Sequence, residues 1–153
     1  MKRFSIVFRL IALAACILLL TNGLCPGDDD KDSDRGGSLA GAWELTEMTI
    51  YNVPDVGTLH WTSASPFMPQ MTLVLRDNGT FTFTIVSAGV TEVEEGTWTA
   101  GSGTITMDNG EETMTAEYTL NGDVLLMEII MPMDFDEDGV DENYNADWVF
   151  ERT

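Results

Sequence analysis

From Gly41 to the last residue, apolar side chains recur at every second position, and this period of two confines the chain to β structure. In residues 71–76, Met71, Leu73 and Leu75 alternate with Thr72, Val74 and Arg76. In residues 80–86, Phe81, Phe83 and Ile85 alternate with Thr80, Thr82 and Thr84. Successive side chains of a strand point to opposite faces, so each segment has one apolar face and one rich in threonine. Between the two lies Asp77-Asn78-Gly79, and Asn-Gly is a strong hairpin signal because both residues tolerate positive φ. Residues 113–120 repeat the pattern with Met114, Ala116, Tyr118 and Leu120 on one face, and Asn121-Gly122 turns the chain into the apolar run 124–131. Residues 42–50, 94–100, 104–108 and 146–153 bring the count to eight strands, and no stretch carries a convincing 3.6-residue period.

These features predict an all-β fold, an eight-stranded antiparallel up-and-down meander closed or half-open as a barrel. An open meander leaves two edges able to pair with other chains, and closure removes them. Eight strands enclose an interior that side chains fill or that holds one small ligand. A β-sandwich is the competing architecture.

Residues 1–24 read as an export signal. Lys2, Arg3 and Arg9 precede an apolar run from Leu10 to Leu20, too short for an ordinary membrane-spanning helix. A cysteine followed by a polar tether then resembles the start of a bacterial lipoprotein, a family in which the thiol is acylated and becomes the new N-terminus. Cys16 has the better residues before it, but "ILLL" follows. Cys25 is followed by Pro26-Gly27 and a run of aspartates, and is the expected lipidation site, although Leu24 is larger than that pattern favours. Residues 25–40 then form the lipidated cysteine and a charged tether too poor in apolar residues to order itself. The chain is thus expected to be exported and membrane-anchored, facing the periplasm or the cell surface.

Beyond residue 24, 26 acidic side chains face four basic ones. Such a surface repels nucleic-acid phosphates and anionic headgroups, so nucleic acid is not an expected partner and the lipid anchor is the expected contact with membrane.

The folded part resembles a known family. Gly41-Ala42-Trp43 at the head of the first strand matches the Gly-x-Trp signature of lipocalins, and Arg152 lies where that family keeps a late arginine. With "GAWELTEM", "LVLRDNGTFTF", "EEGTWTA" and the terminal "WVFER", residues 41–153 resemble the lipocalin-like domains of bacterial secreted lipoproteins. The resemblance implies a closed lipocalin-like barrel with Trp43 plugging its base and Arg152 across the indole, a structural cation–π contact worth ~0.5–2 kcal/mol. No helix follows the last strand, a departure from the family pattern.

Two long connections stand out. Residues 52–70 contain His60, Trp61, Phe67, Met68 and three prolines. In lipocalins the first connection folds over the open end, which makes Trp61, Phe67 and Met68 the candidate contacts for a small apolar or amphipathic ligand. The same three residues would equally cork the barrel. Residues 132–145 contain Asp134, Asp136 and Asp138 followed by Gly139, a spacing that resembles calcium loops. Val140 would add a carbonyl and Asp141 or Glu142 a carboxylate, giving a weak Ca2+ site; Asn145 replaces the acid that closes an EF-hand shell. The alternative is a solvated acidic loop.

Catalysis is not expected. His60 is the sole histidine, which leaves little material for a triad or an imidazole zinc site. Glu92, Glu94 and Glu95 read as a solvated strand end. The functional expectation is a non-catalytic binding domain; the alternative is an anchored protein-interaction module with a filled interior and a calcium-loaded loop.

Overall fold

The computed structural model describes residues 38–66, 68–135 and 139–153. Its elements are β1 (Gly41–Val53), β2 (Gly57–Thr62), β3 (Gln70–Leu75), β4 (Thr80–Ser87), β5 (Val90–Gly101), β6 (Thr104–Asp108), β7 (Thr113–Asn121), β8 (Val124–Met133) and β9 (Glu142–Arg152). They form one antiparallel sheet in the order β2-β1-β3-β4-β5-β6-β7-β8-β9, and a further pairing of β1 with β9 closes it. The ring is therefore an eight-stranded up-and-down barrel of β1 and β3 to β9. The ninth strand, β2, is added beside β1.

A bulge in β1 makes this possible. Gly41–Glu44 pair with β3, whereas Glu47–Ile50 pair with β2, and a register shift between Leu45 and Glu47 separates the halves. The extra residue resets the alternation, so Trp43 and Leu45 are buried before it and Met48 and Ile50 after it. A bulged strand bends, which lets β1 leave one neighbour and take another while β9 follows it throughout.

The eight expected strands are those that form the ring, and β2 is a ninth that corrects the expected loop over 52–70. Leu59 and Trp61 share its inner face, opposite Ile50 and Met48. Three prolines around this six-residue run obscured the alternation. The turn into it uses positive φ at Asp55 and Gly57. The connection at 132–145 also contracts, because β8 runs to Met133 and β9 starts at Glu142. Pro132 fits inside β8 because, beyond Glu128, the register pairs this strand with β9 alone, leaving one side where a missing N–H costs nothing.

The core is lopsided. β1, β3, β4, β8 and β9 supply most of it, with Trp43, Phe150, Met127 and Leu125 fully enclosed. β6 and β7 add only Ile105, Met107 and Ala116, and β5 adds no buried residue.

Candidate functional site

The base of the barrel is sealed by a group drawn from both ends of the domain. The Arg152 guanidinium carbon sits 4.1 Å from the Trp43 ring centroid. Its Nη1 donates to the Ala40 carbonyl at 3.0 Å and its Nη2 to the Ser38 carbonyl at 2.7 Å. Its Nε faces Asp123 at 3.2 Å, and Trp43 Nε1 donates to the Leu39 carbonyl at 2.9 Å. Gly41 is required here, since a Cβ would overlap the Arg152 guanidinium.

The inner face of β5 to β7 differs from the rest of the wall. Phe81, Phe83 and Ile85 point inward from β4, and the register sets Gly96, Glu94 and Glu92 directly across from them. Directly opposed residues of an antiparallel pair share a face, so two carboxylates lie where neighbouring strands place Phe, Ile and Met. Trp98, Met114, Tyr118 and Leu120 continue this face and are only partly buried against the core. Toward the base, Leu39, Asp77, Trp98, Ala100 and Tyr118 line an open depression of about 520 Å³. Trp98 is held there by its Nε1, which donates to the Arg76 carbonyl at 3.0 Å.

The turn between β6 and β7 folds inward over β5. Pairing of β5 with β6 stops at Thr97 and Asp108, and beyond it a Cβ on Gly96 would overlap the Asp108 carbonyl oxygen. The turn is self-supporting. Asp108 Oδ1 accepts from the Gly110 amide at 2.7 Å, and Asn109 Oδ1 accepts from the amides of Glu111 and Glu112 at 2.9 Å each. With its oxygen engaged, the Asn109 side chain meets the Glu94 carboxylate through its NH2 group. Burial pushes the Glu94 carboxyl above its ordinary value. The Asn109 hydrogen bond opposes that shift, and the nearby Glu112, Glu92 and Glu111 carboxylates add to it.

Two polar atoms of this interior have no hydrogen-bond partner among the described residues: Glu92 Oε2 and Trp148 Nε1. Trp148 is 3 % exposed, and its ring stacks on Phe83 with centroids 5.9 Å apart.

The residues singled out from sequence are dispersed. Trp61 lies on β2 and Met68 just before β3, both half-buried against the core; Phe67 is outside the described residues. In the acidic connection, Asp134 Oδ2 accepts from the Gly139 amide at 2.8 Å, and Val140 is exposed. Glu142 begins β9, where its Oε2 accepts from the Tyr144 hydroxyl at 3.5 Å. Asp136, Asp138 and Cys25 lie outside the described residues. Among the described residues, no three His, Cys, Asp or Glu side chains group as a metal site. Glu92 and Glu94 overturn the reading of a solvated strand end, since only Glu95 of the three faces outward to solvent. Counting back in twos from Trp98 places Gly96, Glu94 and Glu92 on the tryptophan's face, so the signal was present in the sequence.

A family model described as a lipocalin-like domain matches residues 39–127. A search of curated proteins returned no match to this chain.

Proposed function

Because the chain belongs to the lipocalin-like domain family, we propose that it is a non-catalytic binding protein for a small apolar or amphipathic molecule, exported and held at a membrane by a lipid on Cys25. The observation that carries this reading is the uneven wall. Five strands bury their inner side chains, while β5 to β7 keep Trp98, Met114, Tyr118 and Leu120 partly accessible beside an open hollow. Binding sites of this kind combine aromatic and apolar lining with a few polar groups, here Asp77 at the edge of the hollow. Trp61 and Met68, packed at the opposite end, would bound the ligand's apolar portion. Tryptophan fluorescence titrated with a panel of fatty acids, alcohols and hydrophobic dyes tests it. A saturable change is expected, and a flat or non-saturating response across the panel would refute the reading.

A second reading concerns the connection between β8 and β9. The Gly139 amide already folds the chain back onto Asp134, with φ of +90 at Gly139. The acidic residues between them would draw a calcium ion at ~10⁻⁴–10⁻³ M, the range of extracellular modules. Calorimetry should show heat on adding calcium, and chelator should lower the melting temperature. Silence in both experiments would remove the site.

A further inference from the structure

The hollow toward the base of the barrel brings one carboxylate together with two aromatic side chains. Asp77, Trp98, Tyr118 and Leu39 line its volume of about 520 Å³. Trp98 is fixed at two points: its Nε1 donates to the Arg76 carbonyl at 3.0 Å and its amide to the Gly79 carbonyl at 2.8 Å. Leu39 is fixed by Trp43, whose Nε1 donates to its carbonyl at 2.9 Å. The turn that carries Asp77 is satisfied without that residue's side chain. The Arg76 amide donates to the Thr80 carbonyl at 2.9 Å, the Gly79 amide to the Arg76 carbonyl at 3.0 Å, and Asn78 Oδ1 accepts from the Thr80 amide and hydroxyl. The Asp77 carboxylate has no hydrogen bond or ion pair among the described residues. Arg76, the cation beside it in the chain, turns its guanidinium to Thr82 Oγ1 at 3.0 Å, on the threonine face of β4.

On the reading given above, that the domain holds a small amphipathic molecule, we propose that the polar end of this ligand is a methylated ammonium, seated in the hollow against Trp98 and Tyr118 with Asp77 as its counter-charge. Aromatic rings attract a cation through their negative faces, and quaternary ammonium groups are recognised in this way. A primary ammonium instead brings three N–H donors, each wanting an acceptor. The turn has few to offer, since the Arg76 carbonyl already accepts from Gly79 and Trp98, and the Gly79 carbonyl from Trp98. A cation here meets two rings and one carboxylate rather than a cage of carbonyls, which suits a nitrogen clothed in methyl groups. The alkyl part lies along Leu39 and Ala100, the apolar lining of the same hollow. The same chemistry arrives on a soluble single-chain amphiphile or on the choline headgroup of a membrane lipid.

The test is calorimetric titration of the protein with octyltrimethylammonium, octylammonium and octanol at neutral pH and physiological ionic strength, with the N-methyl protons followed by NMR. Octyltrimethylammonium is expected to bind about tenfold more tightly than octanol, with octylammonium, of equal charge, between them. Its N-methyl resonance should move upfield, the ring-current mark of methyl groups lying on an aromatic face. Asp77→Asn, checked by its melting curve, should weaken octyltrimethylammonium by about threefold or more and leave octanol unchanged. Glu128→Gln, which removes an exposed carboxylate of β8 outside the hollow, should change neither. Short-chain phosphatidylcholine below its micelle concentration identifies the source: displacement of octyltrimethylammonium assigns the group to a membrane lipid, and no displacement to a soluble amphiphile. Octylammonium binding as tightly as octyltrimethylammonium, an unmoved N-methyl resonance, or an advantage over octanol undiminished in Asp77→Asn would overturn the proposal while leaving a ligand-binding barrel intact. A loss in Glu128→Gln as large as that in Asp77→Asn would come from general charge attraction and overturn it too. Failure of every probe to bind would overturn the binding reading along with it.

Discussion

At Gly96 the Asp108 carbonyl oxygen occupies the place a Cβ would take, and the overlap is with backbone rather than a yielding side-chain tip. Gly96→Ala is therefore expected to destabilise the protein by at least ~1–3 kcal/mol, the usual cost of overpacking, and to lift the turn away from Glu94. Chemical denaturation with an unchanged midpoint would show that the turn is not seated there. Glu94 makes a prediction of the opposite sign. Its folded carboxyl titrates above the ordinary value of 4.5, so it binds its proton more tightly folded than unfolded. At low pH it is protonated in both states and costs nothing. As pH rises past 4.5 and on through the raised value, ionisation favours the unfolded chain and stability is lost. Glu94→Gln should melt at a higher temperature than the parent at neutral pH, with the gap closing by about pH 3. A variant no more stable at neutral pH would mean that the carboxylate is not desolvated. These residues also mark how much of the site was legible. Trp43 and Arg152 stood out through the resemblance to the lipocalin Gly-x-Trp signature and its late arginine. Glu92 and Glu94 did not, because acidic residues inside a barrel contradict the usual reading of charge as surface; the count in twos places them on the face of Trp98, and the register with Phe83 and Ile85 shows that face to be the inner one.

The elements that were legible are those where period and turn agree. The hairpin of β3 and β4 has strict alternation on both sides of Asn78-Gly79, and the structure pairs Leu75 with Phe81 and Met71 with Ile85 accordingly. β2 was missed because six residues between prolines give too few repeats, and because its existence depends on the distant bulge in β1. The first four residues of β5, 90–93, were missed because their inner position is the carboxylate of Glu92, so hydropathy shows no period there. A difference in protection follows. β2 pairs with β1 alone, whereas β9 is paired on both sides by β8 and β1. Amide hydrogen exchange should find β2 among the fastest-exchanging strands and β9 among the slowest, since local opening is cheapest where pairing is one-sided. Equal protection in the two would contradict the pairing order.

For the molecule as a whole, closure and asymmetry act together. Pairing of Trp43 with Arg152 and of Ile50 with Ala146 joins the first strand to the last, which removes the edges an open meander would expose. That closure was foreseeable from the strand count and the two edges an open meander would leave exposed. The distribution of packing around the ring was not, because it depends on where β6 stops pairing with β5 and where β8 outruns β7. The result is a filled half and a half lined by partly buried aromatic, methionine and carboxylate side chains. With 26 acids against 7 bases, the molecule repels itself, so added salt should raise its melting temperature by screening. The central claim is that the accessible half is where a small amphiphile settles. Mapping of backbone amide shifts by NMR during a titration with octanol addresses it directly. The account predicts saturable shifts concentrated in Glu92–Trp98, Met107–Ala116 and Trp148. Shifts confined to the outer faces of the strands, or scattered without saturation, would contradict it.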